Sequence, residues 1–236
     1  MTLLSRRHVF LGAGAATFTA AFASTGRAAG STTFTATIRN VATDRTLTLP
    51  DGGTSAAPIA PGVFVVSSTP HILFTPGMRA AEGLERLAED GNFQPMLDKV
   101  TAIKDLASSG MFLPGQPFTF TASPGDKLQF ATMFVQSNDL FFAPRNGGIA
   151  LFDAGGRAIH GKVTRQVALF DAGTEVNQVP GVGPDQAPRQ AKPDTGTAEW
   201  VAVAPLADRP DGFAYPPVEA VIEVEIKPVA IGQPQG

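Results

Sequence analysis

Cysteine is absent from this chain. Its absence removes disulfides, thiolate metal centres, blue-copper sites and cysteine nucleophiles together. Stability must then come from a packed core or a bound ion. Charge is also scarce: 17% of residues are Asp, Glu, Lys or Arg, against roughly 25% in ordinary soluble domains. The formal net charge is -3 and no block of like charges occurs, so the electrostatic footprint of a nucleic-acid partner is missing. Beyond the first thirty residues no apolar run is long enough to cross a bilayer. Of the three histidines, His8 lies near the start, leaving His71 and His160 in unrelated contexts. No HExxH or GxSxG pattern and no glycine-rich phosphate loop is present. The reading that follows is a non-enzymatic one. Its alternative is a periplasmic hydrolase whose serine, acid and histidine (His71 or His160) meet only in the fold.

The chain opens on MTLLSRRHVFLGAGAATFTAAFASTGRAAG. Arg6 and Arg7 stand together after Ser5, followed by Val9, Phe10 and Leu11 and a run rich in Gly and Ala, the arrangement of a twin-arginine export signal. Ala21-Phe22-Ala23 and Gly26-Arg27-Ala28 offer small-residue cleavage patterns. The expected division is a signal over 1–29, one domain over 30–230 and a tail over 231–236. A single all-β domain of up to about 250 residues is ordinary. The expected location is periplasmic or secreted, and this type of signal implies cargo folded before export.

A hydrophobic share of 43% supports a core, and most of the chain reads as strand. In STTFTATIRNVA, Phe34, Ala36 and Ile38 alternate with Thr35, Thr37 and Arg39, the period of a half-buried strand. PFTFTASPGDKLQFATMF gives two strands around the turn Ser123-Pro124-Gly125-Asp126. GGIALFDAGGRAIHGK repeats the plan around Asp153-Ala154-Gly155-Gly156. AVIEVEIKP sets Ile222, Val224 and Ile226 on one face and Glu223 and Glu225 on the other. Short strands punctuated by Gly and Pro predict a mainly β, antiparallel sandwich. One segment departs from this. Between 78 and 109, Ala80, Leu84, Leu87 and Ala88 recur at helical spacing with Gly91 as a stop. Pro95 then opens a second helix bearing Met96, Val100 and Ile103. A helical pair inserted between strands is expected to cover a sheet edge or face.

Oxygen ligands are plentiful where sulfur is absent. Calcium takes six to eight oxygens from carboxylates, amides, backbone carbonyls and water. The hexapeptide ALFDAG occurs twice, at 150–155 and 168–173. The first copy continues into Gly156 and a new strand, which makes Asp153 a turn residue. The second continues as Thr174-Glu175-Val176-Asn177, where small residues let Asp171 and Glu175 converge on one point, with Asn177 or backbone carbonyls as further donors. Gly173 is expected at positive φ. Asp139, in VQSNDLFFAP, is a third carboxylate at a strand end, for which a turn role weighs evenly against an ion ligand. The Pro-rich stretch 179–197 is expected to wrap the sandwich as an ordered irregular segment, with Arg189 paired to an acid.

Three stretches carry a resemblance. Ser137-Asn138-Asp139-Leu140-Phe141, the element Asp171-Ala172-Gly173-Thr174-Glu175, and Ala81-Glu82-Gly83-Leu84 with Ala88, Glu89 and Gly91 are similar to motifs of the spondin domain, in its bacterial exported form. They span about 31 to 227. The resemblance implies a C2-like antiparallel sandwich with calcium at one end, held by Asp139, Asp171 and Glu175. Leu140 stands where animal members have Trp, and Glu175 where they have Asp. The animal domains also carry cysteines and act in matrix adhesion. For this chain the implied partner is an extracytoplasmic protein or glycan.

Overall fold

A computed structural model describes residues 30–229. The expected signal and the 231–236 tail lie outside the described residues. Among the described residues thirteen strands form in chain order. They are β1 (Thr32–Asn40), β2 (Leu47–Thr48), β3 (Thr54–Ser55), β4 (Gly62–Ser67), β5 (Ser108–Phe112), β6 (Pro117–Ala122) and β7 (Lys127–Met133). β8 (Leu140–Pro144), β9 (Ile149–Ala150), β10 (Gly161–Lys162), β11 (Val167–Asp171), β12 (Ala204–Pro205) and β13 (Ile222–Pro228) follow. One sheet runs β10-β13-β1-β6. The larger runs β12-β11-β8-β7-β4-β5 with β9 on β7, while β2 and β3 form a separate small ribbon. All pairings are antiparallel.

The alternating strand pattern explains why the smaller sheet buries one face. Phe34, Ala36 and Ile38 of β1 and Ile222, Val224 and Ile226 of β13 point into the sandwich, against Phe64, Phe130, Leu140 and Phe142 of the larger sheet. The outer face of β1 and β13 is laced by Arg39 with Glu223 and Glu225. The larger sheet is buried on both sides, and every residue of β4 is buried, which suits its near-continuous apolar sequence. Its second face is covered by α1 (Glu82–Asp90) and α2 (Gln94–Thr101). Leu84, Leu87, Met96 and Val100 pack there on Val63, Val65, Ala131, Phe141 and Phe170. The helical pair therefore covers a face, not an edge.

Helix α1 ends at Gly91, as its sequence implied, and Pro95 sits in the first turn of α2. Helix α2 stops at Thr101, so Ile103 falls beyond it and stays 38% exposed. The turns at Ser123–Asp126 and Asp153–Gly156 form with closing hydrogen bonds of 2.9 Å each. Around the second turn the expected strands shrink to a single bridge, Phe152 with Ala158. The Pro-rich stretch is held by Gln186, fully buried, which reaches the carbonyls of Gln178 and Val179 and the Gly181 amide. Among the described residues Arg189 meets no acid, contrary to expectation. It donates to the Gly183 carbonyl and to the amide oxygens of Gln136 and Gln186, neutral acceptors that suit a partly desolvated guanidinium. No helix among the described residues is long and apolar enough to cross a membrane.

Candidate functional site: an acidic cluster at one end of the sandwich

Asp139 immediately precedes β8, and Asp171 closes β11 directly opposite Leu140. The antiparallel register therefore delivers both acids to the same end of the larger sheet. Ser137 shapes the approach: its hydroxyl donates to the Phe134 carbonyl at 2.6 Å and accepts the Leu140 amide at 3.1 Å, a local turn that competes with strand continuation. Asp139, fully buried, accepts three hydrogen bonds on Oδ2: from the Thr174 amide (2.8 Å), the Thr174 hydroxyl (3.2 Å) and the Glu175 amide (3.1 Å). Its Oδ1 is buried with no hydrogen-bond partner among the described residues.

Asp171 is differently placed. Its Oδ1 accepts the Gly173 amide at 2.6 Å and faces the Arg209 guanidinium at 3.0 Å, and its Oδ2 accepts Asn177 Nδ2 at 3.0 Å. Gly173 adopts φ 69°, the left-handed conformation anticipated for it, and a Cβ there would meet Val201 at 2.7 Å. Asn177 thus gives its Nδ2 donor to Asp171, while its Oδ1 is buried with no hydrogen-bond partner among the described residues. Glu175, also buried, accepts Asn138 Nδ2 on Oε2 at 3.1 Å and the Gly196 amide on Oε1 at 2.9 Å. A Cβ at Gly196 would stand 2.0 Å from Glu175 Oε2, so the loop closes on this carboxylate only through a bare backbone.

Two further acids complete the cluster. Glu89 lies in the last turn of α1, is 3% exposed, and its Oε2 has no hydrogen-bond partner among the described residues. Asp194, exposed, arrives on the long loop. One oxygen each from Glu89, Glu175 and Asp194 lie within 4.8 Å of one another, a group that could hold a metal ion. The helix end adds its own negative partial charge beside Glu89, and the basic side chain contributed by the same helix, Arg86, is drawn to Asp194 at 3.4 Å and Asp90 at 3.5 Å.

The electrostatic consequence is a set of carboxyls that resist ionisation. Burial pushes Glu89 up to about 8, reinforced by the charges of Glu175, Glu85 and Asp139. Burial raises Asp139, and the neighbouring charge of Asp171 adds to it. Glu175 is raised by burial, against the hydrogen bonds from Asn138 and Gly196. A carboxyl such as Glu89, whose proton is retained to about pH 8, is poised to exchange it for a cation.

Asp139, Asp171 and Glu175 therefore meet at one end of the fold, linked through Thr174 and the Glu175 amide. Asp171 is engaged by Arg209, while the grouped metal-competent oxygens are those of Glu89, Glu175 and Asp194. Sequence reasoning used Glu89 only as part of a motif and passed over Asp194. The available signal for Glu89 was an acid directly following Ala88 on the apolar face of a short helix. Asp194 offered none, being one polar residue in an irregular loop. His71 and His160 lie elsewhere. His71 stands near Phe74, Gln129 and Pro144, at the opposite end of β8 from Asp139, and His160 is exposed between β9 and β10. Comparison of the chain with protein-family models, and with curated protein sequences, returns no match.

Proposed function

We propose that this chain is an exported, non-enzymatic calcium-binding module of spondin type, acting on a protein, glycan or other surface outside the cytoplasm. The ion is held by Glu89, Glu175 and Asp194, with Asp139 behind them and Asp171 keeping the loop folded through Gly173, Asn177 and Arg209. A single observation carries this reading: Glu89 Oε2 and Asp139 Oδ1 are sealed from solvent without donors, in a region where Glu175 and Asp194 add further acceptors. An unpaired buried carboxylate oxygen costs several kcal/mol unless a proton or cation meets it. The spondin resemblance supports calcium as that cation. The twin-arginine pattern at Arg6 and Arg7 supports export to the periplasm or beyond.

The test is calorimetric titration of the mature protein with calcium, paired with thermal melts in calcium and in chelator. Wild type binds one ion and gains stability, whereas Glu175→Gln, which removes a central carboxylate charge but keeps its shape, loses the response. A wild-type protein with identical melts in calcium, magnesium and chelator sinks the reading. Export is tested separately by replacing Arg6 and Arg7 with Lys and following a tagged chain between cytoplasm and periplasm.

A further inference from the structure

Beside the edge of β11 the chain leaves an apolar cleft. Past β12 it makes a short helical turn at Leu206–Asp208 and then runs irregularly over 209–217. A cleft of about 290 Å³ lies between this run and the strand. Leu206, 8% exposed, and the half-buried Leu169 of β11 line it and join the sandwich core. Phe213 and Tyr215 line it from the irregular run.

Apolar surface of this kind tends to close on itself in water, and the backbone here resists that. Pro205 is fixed to the sheet by pairing with Phe170, while Pro210, Pro216 and Pro217, all lining residues, hold their φ angles rigid. Asp211 stiffens the same wall. Its Oδ1 accepts the Phe213 amide at 2.9 Å and its Oδ2 accepts the Tyr215 hydroxyl at 2.6 Å. The Tyr215 ring stands edge-on to Phe134 with centroids 6.4 Å apart. Both rings are therefore held by partners outside the cleft, which makes the cleft preformed.

Charge then selects the occupant. Arg145 lines the cleft and is exposed. Its backbone is anchored, the amide donating to the Gln166 carbonyl at 2.7 Å. Among the described residues its guanidinium enters no ion pair. Asp211, the acid of the same cleft, already accepts a hydrogen bond on each oxygen. The polar capacity left over is a planar fork of donors, which matches a carboxylate. A doubly charged phosphate would set its second charge against Asp211. The volume lies at the lower limit of the roughly 300–1,000 Å³ of drug-sized sites, so the apolar body is a short chain or a single ring.

We propose that this cleft binds a small organic monocarboxylate, its carboxylate paired with Arg145 and its apolar body set against Leu169, Phe213 and Tyr215. None of Glu89, Glu175 and Asp194 lines the cleft, so the inference does not depend on the calcium reading.

The experiment is calorimetric titration of the mature protein, in chelator, with octanoate, octanol and octylammonium in separate runs. Octanoate should bind at one site, about ten times or more tighter than octanol, as a charge-assisted hydrogen bond implies, and octylammonium should bind most weakly. Arg145→Gln should weaken octanoate about tenfold and leave octanol unchanged. Ala207→Trp, at an exposed lining position, fills the cleft and should abolish both. Melts without ligand show that each variant is folded. Octanoate held no tighter than octanol, or equally by Arg145→Gln, overturns the pairing with Arg145. Wild-type affinity in a folded Ala207→Trp, or no octanoate binding by wild type, overturns the site.

Discussion

Replacing Glu89 by Gln separates a carboxylate kept for an ion from one kept for the fold. In chelator, wild type carries Glu89 at 3% exposure with one oxygen unpaired. Its pKa is raised from 4.5 to about 8, so between those values the folded state holds a proton that the unfolded state has released. Stability then falls as pH rises through that window, by about 1.4 kcal/mol per pH unit for one proton. From pH 5 to pH 8 the full effect is about 4 kcal/mol, and allowing half for partial solvation leaves about 2 kcal/mol. For a domain of this size that is about 4–8 °C in melting temperature. Asp139, raised in the same direction, adds to the wild-type slope but cancels in the difference between the two proteins. Glu89→Gln has nothing to ionise. In chelator at pH 8 it should melt several degrees above wild type. In calcium the order reverses: wild type gains about 2.7 kcal/mol at an ion concentration 100 times its dissociation constant, about 5–11 °C, while the variant gains little. The assay is a grid of melts over pH 5–8, with and without calcium. A variant that melts below wild type in chelator at pH 8, or that keeps the full calcium shift, would refute the reasoning.

Other outcomes follow from the same geometry. Gly196→Ala places a methyl 2.0 Å from Glu175 Oε2, so that carboxylate must move, and should cost about 1–3 kcal/mol in chelator melts and abolish the calcium shift. Asp171→Asn weakens the pair with Arg209, whose side chain is 34% exposed, and should destabilise the fold by about 1–3 kcal/mol. Calorimetry of that variant at low temperature should still show calcium uptake, and loss of uptake with an intact fold would restore Asp171 as a ligand. His71→Ala and His160→Ala should leave the calcium shift unchanged. Disappearance of a hydrolytic activity in either variant would favour the alternative enzyme reading.

The sandwich was legible because its strands announce themselves one at a time. Alternation in β1 and β13 specifies which side of each faces the core, and a one-residue slip would turn Phe34, Ile38 and Val224 to solvent. The helical pair was legible from its spacing, down to the stop at Gly91. What could not be read was which face the pair covers, since that depends on the continuous apolar character of β4 and β8, and a run buried on both sides looks the same whether a second sheet or a helix lies over it. The same limit hid Arg189's partners. A loop without period has no face, so nothing local indicates that Gln136, fifty-three positions away, receives the guanidinium.

The repeated hexapeptide makes the limit concrete at the site itself. Both copies of ALFDAG place an aspartate where it accepts the amide of the glycine two residues on, at 2.9 Å for Asp153 and 2.6 Å for Asp171. Local chemistry is the same. Asp153 then meets Arg157 four residues later in a turn that solvent reaches, its side chain 36% exposed. Asp171, 3% exposed at its side chain, finds Arg209 thirty-eight positions on and lies beside a fully buried Asp139. The difference begins after the glycine. Gly156 at the first copy turns the chain back on itself, while Thr174 and Glu175 at the second turn their amides onto Asp139 and carry a carboxylate toward Glu89. The acidic end is therefore specified jointly by one strand terminus, one helix terminus and a loop closed by a glycine. For that reason Glu89 and Gly196 are sharper tests of an ion site than either aspartate of the repeat.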